Sequence, residues 1–134
     1  MDAMYSGSCL CSQVRFVVEG FSSKVANCHC SMCRKFHGAA FATLVSVSGL
    51  RWVSGESLLK HYTAGNGTVR SFCSECGSSL GFRGRNEPLS AIEIAISAFD
   101  EDIPVEVDAH IYTNYKACWH HIADKLPAYG EGRE

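Results

Sequence analysis

The sequence predicts a mainly β domain, and three observations carry that reading. Short runs alternate polar and apolar residues or concentrate β-branched and aromatic side chains, turn-forming residues recur at short intervals, and only one stretch carries a helical pattern of any length. The 134 residues suit one domain, expected to span 1–134 with its core at about 7–129, long enough to bury a real core. Hydrophobic residues make up 46% and charged residues 19%, which sets the chain apart from the composition of disorder.

Taken in order, Met1 to Ser6 reads as a short leader. Gln13 to Glu19 then alternates, with Val14, Phe16 and Val18 on one face, and Gly20 ends the strand. Arg34 to Gly38 suits a short helical turn, and the apolar, β-branched run Ala39 to Val47 suits a buried strand. Two short strands follow, Leu50 to Val53 and Leu58 to Tyr62. Asn66-Gly67 then signals a hairpin, because both residues tolerate positive φ. Thr68 to Phe72 and Ser78 to Gly84 flank a Cys-x-x-Cys-Gly knuckle whose glycine supplies the unusual turn dihedral. Leu89 to Ile96 and Val105 to Tyr112 are expected as strands joined by an acidic, proline-bearing turn, and Lys116 to Lys125 as the one helical pattern.

Eight cysteines dominate the chemistry. Residues 28 to 33 read Cys-His-Cys-Ser-Met-Cys, and three thiols so crowded cannot all satisfy disulfide geometry with one another, whereas one metal ion takes them together. Zinc is the expected ion: redox-inert, tetrahedral, content with sulfur and bound by ligands two to four residues apart. Side chains at i and i+2 of an extended segment share a face, so Cys9 with Cys11, and Cys28 with Cys30, are each expected to form a two-thiolate edge. Setting aside Cys118, expected to pack as a small hydrophobe, seven thiols remain. They divide most simply into a closed tetrahedron of Cys9, Cys11, Cys73 and Cys76 and a three-ligand site of Cys28, Cys30 and Cys33.

The three-ligand site has two readings. A histidine among His29, His37, His110, His120 and His121 completes it structurally, with His37 the best placed in sequence and His29 a poor candidate because it alternates away from its neighbours, or the fourth position stays open. An open zinc on three thiolates is electron-rich and suits soft ligands or a transient carbonyl better than hydrolysis, which points to thiol or aldehyde chemistry. Arg34 and Lys35 follow the cluster as a solvated basic pair or a clamp for a carboxylate. Asp100, Glu101, Asp102, Glu106 and Asp108 read as a solvated acidic edge.

Several pieces of the chain resemble the glutathione-dependent formaldehyde-activating enzyme family, grouped also with centromere-protein-V-like domains. They are Gly7-Ser8-Cys9-Leu10-Cys11 with Val14-Arg15-Phe16, Cys28-His29-Cys30-Ser31-Met32-Cys33-Arg34-Lys35, Gly38-Ala39-Ala40-Phe41, Phe72-Cys73-Ser74-Glu75-Cys76-Gly77-Ser78-Ser79-Leu80, His110-Ile111-Tyr112 and Lys116-Ala117-Cys118-Trp119. The resemblance implies a mainly β, Mss4-like tent of short antiparallel strands stapled by two zinc ions per chain: a structural one on Cys9, Cys11, Cys73 and Cys76, and a second on Cys28, Cys30 and Cys33. It also implies carbon-sulfur lyase activity, the addition of glutathione to formaldehyde to give S-hydroxymethylglutathione. Two positions depart from the family pattern. Ser12 stands where glycine is usual, and Cys118 precedes Trp119, itself expected in the core. Roles for His110 and Tyr112 stay open between lining a pocket and packing.

The formal net charge is -2, so no global basic field gathers nucleic acid or anionic lipid, and no basic stretch is interleaved with aromatics. No segment approaches the ~20 apolar residues of a membrane span, and Met-Asp-Ala-Met-Tyr lacks the layout of a secretory signal, so a cytoplasmic location is expected. The competing expectation to an enzyme of small thiol and small aldehyde is a non-catalytic, zinc-stabilised binding module or thiol-adduct carrier. Oligomeric state is not written in the sequence.

Overall fold

A computed structural model describes residues 4–133. The described residues form eleven strands, one α-helix and four short 3₁₀ helices, as the mainly β expectation requires. The chain begins with β1 (Tyr5–Ser8), β2 (Arg15–Val18), β3 (Gly20–Phe21) and β4 (Ala26–Cys28). Helix α1 (Ser31–His37) follows, then β5 (Ala42–Ser48), β6 (Arg51–Ser54), β7 (Leu59–Thr63), β8 (Val69–Cys73) and β9 (Ser79–Arg83). Strands β10 (Glu93–Ala95) and β11 (Ala109–Ile111) complete the set.

Strands β1, β2 and β6 form a small sheet in that order, and a second sheet of eight strands runs β11-β4-β5-β10-β9-β8-β7 with β3 paired to β5. All pairings within strands are antiparallel except β11 against β4. The alternation of β2 fixes the join between the sheets: Val14, Phe16 and Val18 are buried, and Phe16 and Val18 pack with Ile94 of the large sheet. Edge-on aromatic contacts hold this core, Phe16 to Trp52 at 5.5 Å and Phe16 to Phe99 at 5.3 Å. Gly7 lies opposite Phe16 in the ladder, where a Cβ would meet the ring at 2.2 Å.

Several expectations are corrected. Tyr5 and Ser6 belong to β1 rather than to a leader, since the backbone of Ser6 is tied to Asp100 and Glu101; Met1 to Ala3 lie outside the described residues. The expected strand Leu89 to Ile96 shrinks to β10 between 3₁₀ turns at Leu89–Ala91 and Ile96–Ala98, the first opened by the Pro88 carbonyl accepting from Ala91 N–H. Val105 to Tyr112 contributes only β11, because Asp108 N–H is drawn away to Val25 O. Lys116 to Lys125 is not helical. The Lys116 ammonium binds the Ala117 and His120 carbonyls, and Asp124 binds His110, so side chains take the groups a helix would need. On this segment Trp119 is 67% exposed rather than in the core, and Cys118 is exposed rather than packed.

The hairpin after β7 also differs in detail. Gly67 N–H bonds Ala64 O and Ala64 N–H bonds Thr68 O, with φ +91° at Gly67 and no positive φ at Asn66. The turn is a three-residue loop closed by a glycine bulge, and Asn66 serves by accepting from Thr68 N–H and Oγ.

Candidate functional site

The chemistry gathers at two clusters of sulfur, and none of the eight cysteines is joined in a disulfide. In the first, Cys9 and Cys11 sit on a turn ahead of β2, where Ser12 N–H bonds Cys9 O and Ser12 takes φ +66°. The expected extended edge is thus a tight turn, which is how two sulfurs two residues apart reach a common point. From the other side Cys73 ends β8 and Cys76 follows in a turn closed by Gly77 N–H to Cys73 O, with Gly77 at φ +78° as the knuckle requires. The four sulfurs lie within 4.8 Å of one another, with Cys9 to Cys11 at 3.5 Å and Cys11 to Cys73 at 3.9 Å. A tetrahedron of metal-sulfur bonds of about 2.3 Å has edges of about 3.8 Å, so the sulfurs stand where such an ion needs them.

Polar hydrogens point at these sulfurs. Val14 N–H donates to Cys9 Sγ at 3.3 Å and Gln13 Nε2 to Cys11 Sγ at 3.5 Å. Burial pushes the Cys76 thiol up, but bonds from Ser78 and the backbone outweigh it and bring it down to about 5; burial raises Cys73 to about 11. A metal binding here takes the sulfurs as thiolates and displaces whatever protons they hold.

The second cluster is Cys28, Cys30 and Cys33, whose sulfurs also lie within 4.8 Å of one another. Cys28 closes β4, Cys30 precedes the first turn of α1, and Cys33 is buried on that turn. The helix begins at Ser31, earlier than the expected Arg34, and it is this first turn that swings Cys33 back beside Cys28; Gly38 ends it at φ +61°. Among the described residues no histidine, carboxylate or fourth cysteine joins the group. Hydrogen bonding with Cys33 holds the Cys28 thiol well above its usual range. The same bond, with help from Arg70, brings Cys33 down to about 6 against its burial. Arg70 Nη2 donates to Cys33 Sγ at 3.7 Å.

Cys28 and Cys33 open on a cavity of about 240 Å³. Leu44, Phe82 and Ile111 give it apolar walls, while Lys24, Glu93, Tyr112 and Arg133 bring polar groups. Burial first, and then the neighbouring Cys33, hold the Glu93 carboxyl above its ordinary range. Tyr112 carries φ +56°, a costly conformation for a bulky residue, and its backbone is fixed by Glu131 O.

Of the remaining expectations, Arg34 and Lys35 do not line this cavity; Lys35 flanks a separate cleft of about 750 Å³ that His37 also borders. His37 stays outside the sulfur group, and burial lowers its pKa to about 4. His29 is fully buried, as is His110 nearly so, and they are bonded to each other at 2.9 Å; His110 Nε2 reaches Asp124 at 2.9 Å. Asp124 can only accept, so His110 donates from Nε2, accepts at Nδ1, and fixes His29 with its proton on Nε2. His29 Nδ1 is left buried without a partner. The acidic edge is partly structural: Asp100 accepts from Ser8, Glu101 from Ser6, and Asp108 from Arg133. Arg70, Glu93, Lys24 and Arg133 were not singled out by the sequence, since each sits in an ordinary strand or loop pattern and only tertiary pairing brings it to the cysteines.

Residues 4–115 match the family described as glutathione-dependent formaldehyde-activating enzyme. The chain belongs to this family. The chain is also similar to a protein of Schizosaccharomyces pombe described as an uncharacterized lyase, 30% identical over 78 residues. That match covers 58% of this chain and 56% of the relative, so the chain spans about half the length of the curated relative it matches. A crystal structure of a Rhodobacter sphaeroides protein is also similar, at 29% identity and a TM-score of 0.57, covering 74% of this chain and 91% of that one. No helix of the described residues is long and apolar enough to cross a membrane.

Proposed function

We propose that residues 1–134 act as one cytoplasmic zinc domain, a carbon-sulfur lyase that adds a thiol, glutathione by the family's name, to a small aldehyde such as formaldehyde. The observation that carries this reading is the three-sulfur group of Cys28, Cys30 and Cys33 with no fourth protein ligand among the described residues, opening on a small cavity. In this reading Cys9, Cys11, Cys73 and Cys76 hold a structural zinc, and Cys28, Cys30 and Cys33 hold a second with one position free for substrate. When bound, that ion supplies a Lewis acid for negative charge on sulfur or on a carbonyl oxygen.

The net reaction forms one sulfur-carbon bond, moves the carbonyl π pair onto oxygen and carries the thiol proton to that oxygen. Glu93 is the carboxyl the cavity offers for holding or passing that proton, its burial and the neighbouring Cys33 favouring the protonated form. Leu44, Phe82 and Ile111 exclude water, and Lys24 and Arg133 lie where a carboxylate of an anionic thiol would be drawn. Exchange spectroscopy with isotopically labelled formaldehyde and glutathione tests the proposal. Interconversion with S-hydroxymethylglutathione should quicken with zinc-loaded protein, and an unchanged exchange rate would overturn the reading in favour of a binding module.

A further inference from the structure

We infer that Arg70 is a positioning residue for the second cysteine cluster, holding Cys33 as a metal ligand and suppressing its reactivity as a nucleophile toward the aldehyde. Arg70 is 5% exposed, and a guanidinium that far from water needs partners on every side. It has three. Nη2 donates to Cys33 Sγ at 3.7 Å, Nη1 donates to Thr68 Oγ1 at 3.0 Å, and the guanidinium lies 5.0 Å from the centre of the Phe82 ring. Thr68 Oγ1 in turn donates to Asn66 Oδ1 at 2.7 Å, which leaves its lone pairs for Arg70 and ties the charge to the rigid loop after β7.

The need for such a group follows from the chemistry of the site. A dication on three thiolates carries a net charge of about -1, and thiolates in that state are electron-rich and themselves attack electrophiles. An aldehyde drawn into the cavity meets Cys28 and Cys33 as well as the incoming thiol. Attack by a ligand sulfur on the carbonyl carbon would form a sulfur-carbon bond, place the carbonyl pair and a solvent proton on oxygen, and cost the site a ligand. A charge-assisted N–H···S bond lowers the energy of the sulfur lone pair and so its nucleophilicity, while leaving it anionic. Among the described residues Cys33 is the one sulfur of the three that accepts from a charged donor, and it is also the buried one.

The inference rests on the proposed metal at Cys28, Cys30 and Cys33, and the test separates the two. Cobalt(II) is loaded into wild type, Arg70→Met, Arg70→Lys and Thr68→Val, and the sulfur-to-metal charge-transfer absorption is recorded. The zinc-loaded forms are then treated with iodoacetamide, and alkylated cysteines are mapped by mass spectrometry. Arg70→Met should shift the band of this cluster to lower energy and speed alkylation at Cys33 about ten- to a hundredfold, the range expected for losing a hydrogen bond to a charged group. Arg70→Lys, which keeps a charged donor without the fork, should fall between. Thr68→Val, which frees the guanidinium to swing, should move in the same direction by less, and it stands in for Arg70→Met should that variant not fold. Unshifted bands and unchanged Cys33 alkylation in the folded variants would overturn the role of Arg70. No charge-transfer band from this cluster in the wild type would overturn the metal reading itself.

Discussion

Two residues show how a single backbone angle or a single burial sets a measurable quantity. Ser12 holds φ +66° on the turn that brings Cys9 and Cys11 together, a region where only glycine sits without steric cost. Ser12→Gly removes that cost and should stabilise the fold by about 0.5–1 kcal/mol, read as a higher urea midpoint at unchanged slope. His37 makes the opposite point, since burial first and then Arg70 hold its pKa near 4 against an ordinary 6.5. The unfolded chain takes up a proton below pH 6.5 that the folded chain refuses until about pH 4, so this residue's contribution falls as pH drops through that window. Wild type should lose more stability between pH 6.5 and 4 than His37→Gln does, and parallel pH profiles of the two melting temperatures would refute this.

At the scale of elements, the alternation of β2 and its partner glycine carry the join between the two sheets. Phe16 is 1% exposed and meets Trp52 and Phe99 edge-on, so Phe16→Ala should cost about 3–5 kcal/mol. Gly7→Ala should be nearly as damaging because its Cβ would lie 2.2 Å from the same ring, and calorimetry of both variants against a surface control such as Lys60→Ala checks the pair. This is also where the sequence was most legible. Alternation identified β2, where the hydrophobic face and the local propensity agree, and short runs bounded by turn residues identified β7, β8 and β9. Elements set by long-range pairing were not legible: β11 needs a parallel partner 83 residues back, and the run after Lys116 spends its polar side chains on carbonyls and on His110 instead of on a helix. The cysteine groups were legible as sets, since spacing brings thiols together regardless of backbone, whereas Arg70 and Glu93 reach Cys33 only through the order of β8, β9 and β10 in the sheet.

Over the whole molecule the proposed reading has the two sulfur clusters divide the labour of holding the fold and of leaving a site open. Cys11 and Cys73 are 62 residues apart in sequence, so an ion on the first cluster closes a loop that includes β2 through β8 and takes two buried sulfurs, Cys9 and Cys73, into the core under β9. Cys28 and Cys33 are five residues apart, and α1 already brings them together. On a chain-entropy estimate, cross-linking a loop of the first size stabilises by about 4 kcal/mol and one of the second by about 2 kcal/mol. Losing a ligand at the first site should therefore be the costlier change by at least about 2 kcal/mol, before any loss of packing around Leu80 and Val14 is added. Cys11→Ser should lower the melting temperature well below that of Cys30→Ser, and Cys30→Ser should keep a single cooperative transition while losing the more readily chelated ion. Equal losses in the two variants would refute that difference, and negligible losses in both would mean that the order of strands, with Phe16 and Ile94 at its centre, accounts for the stability.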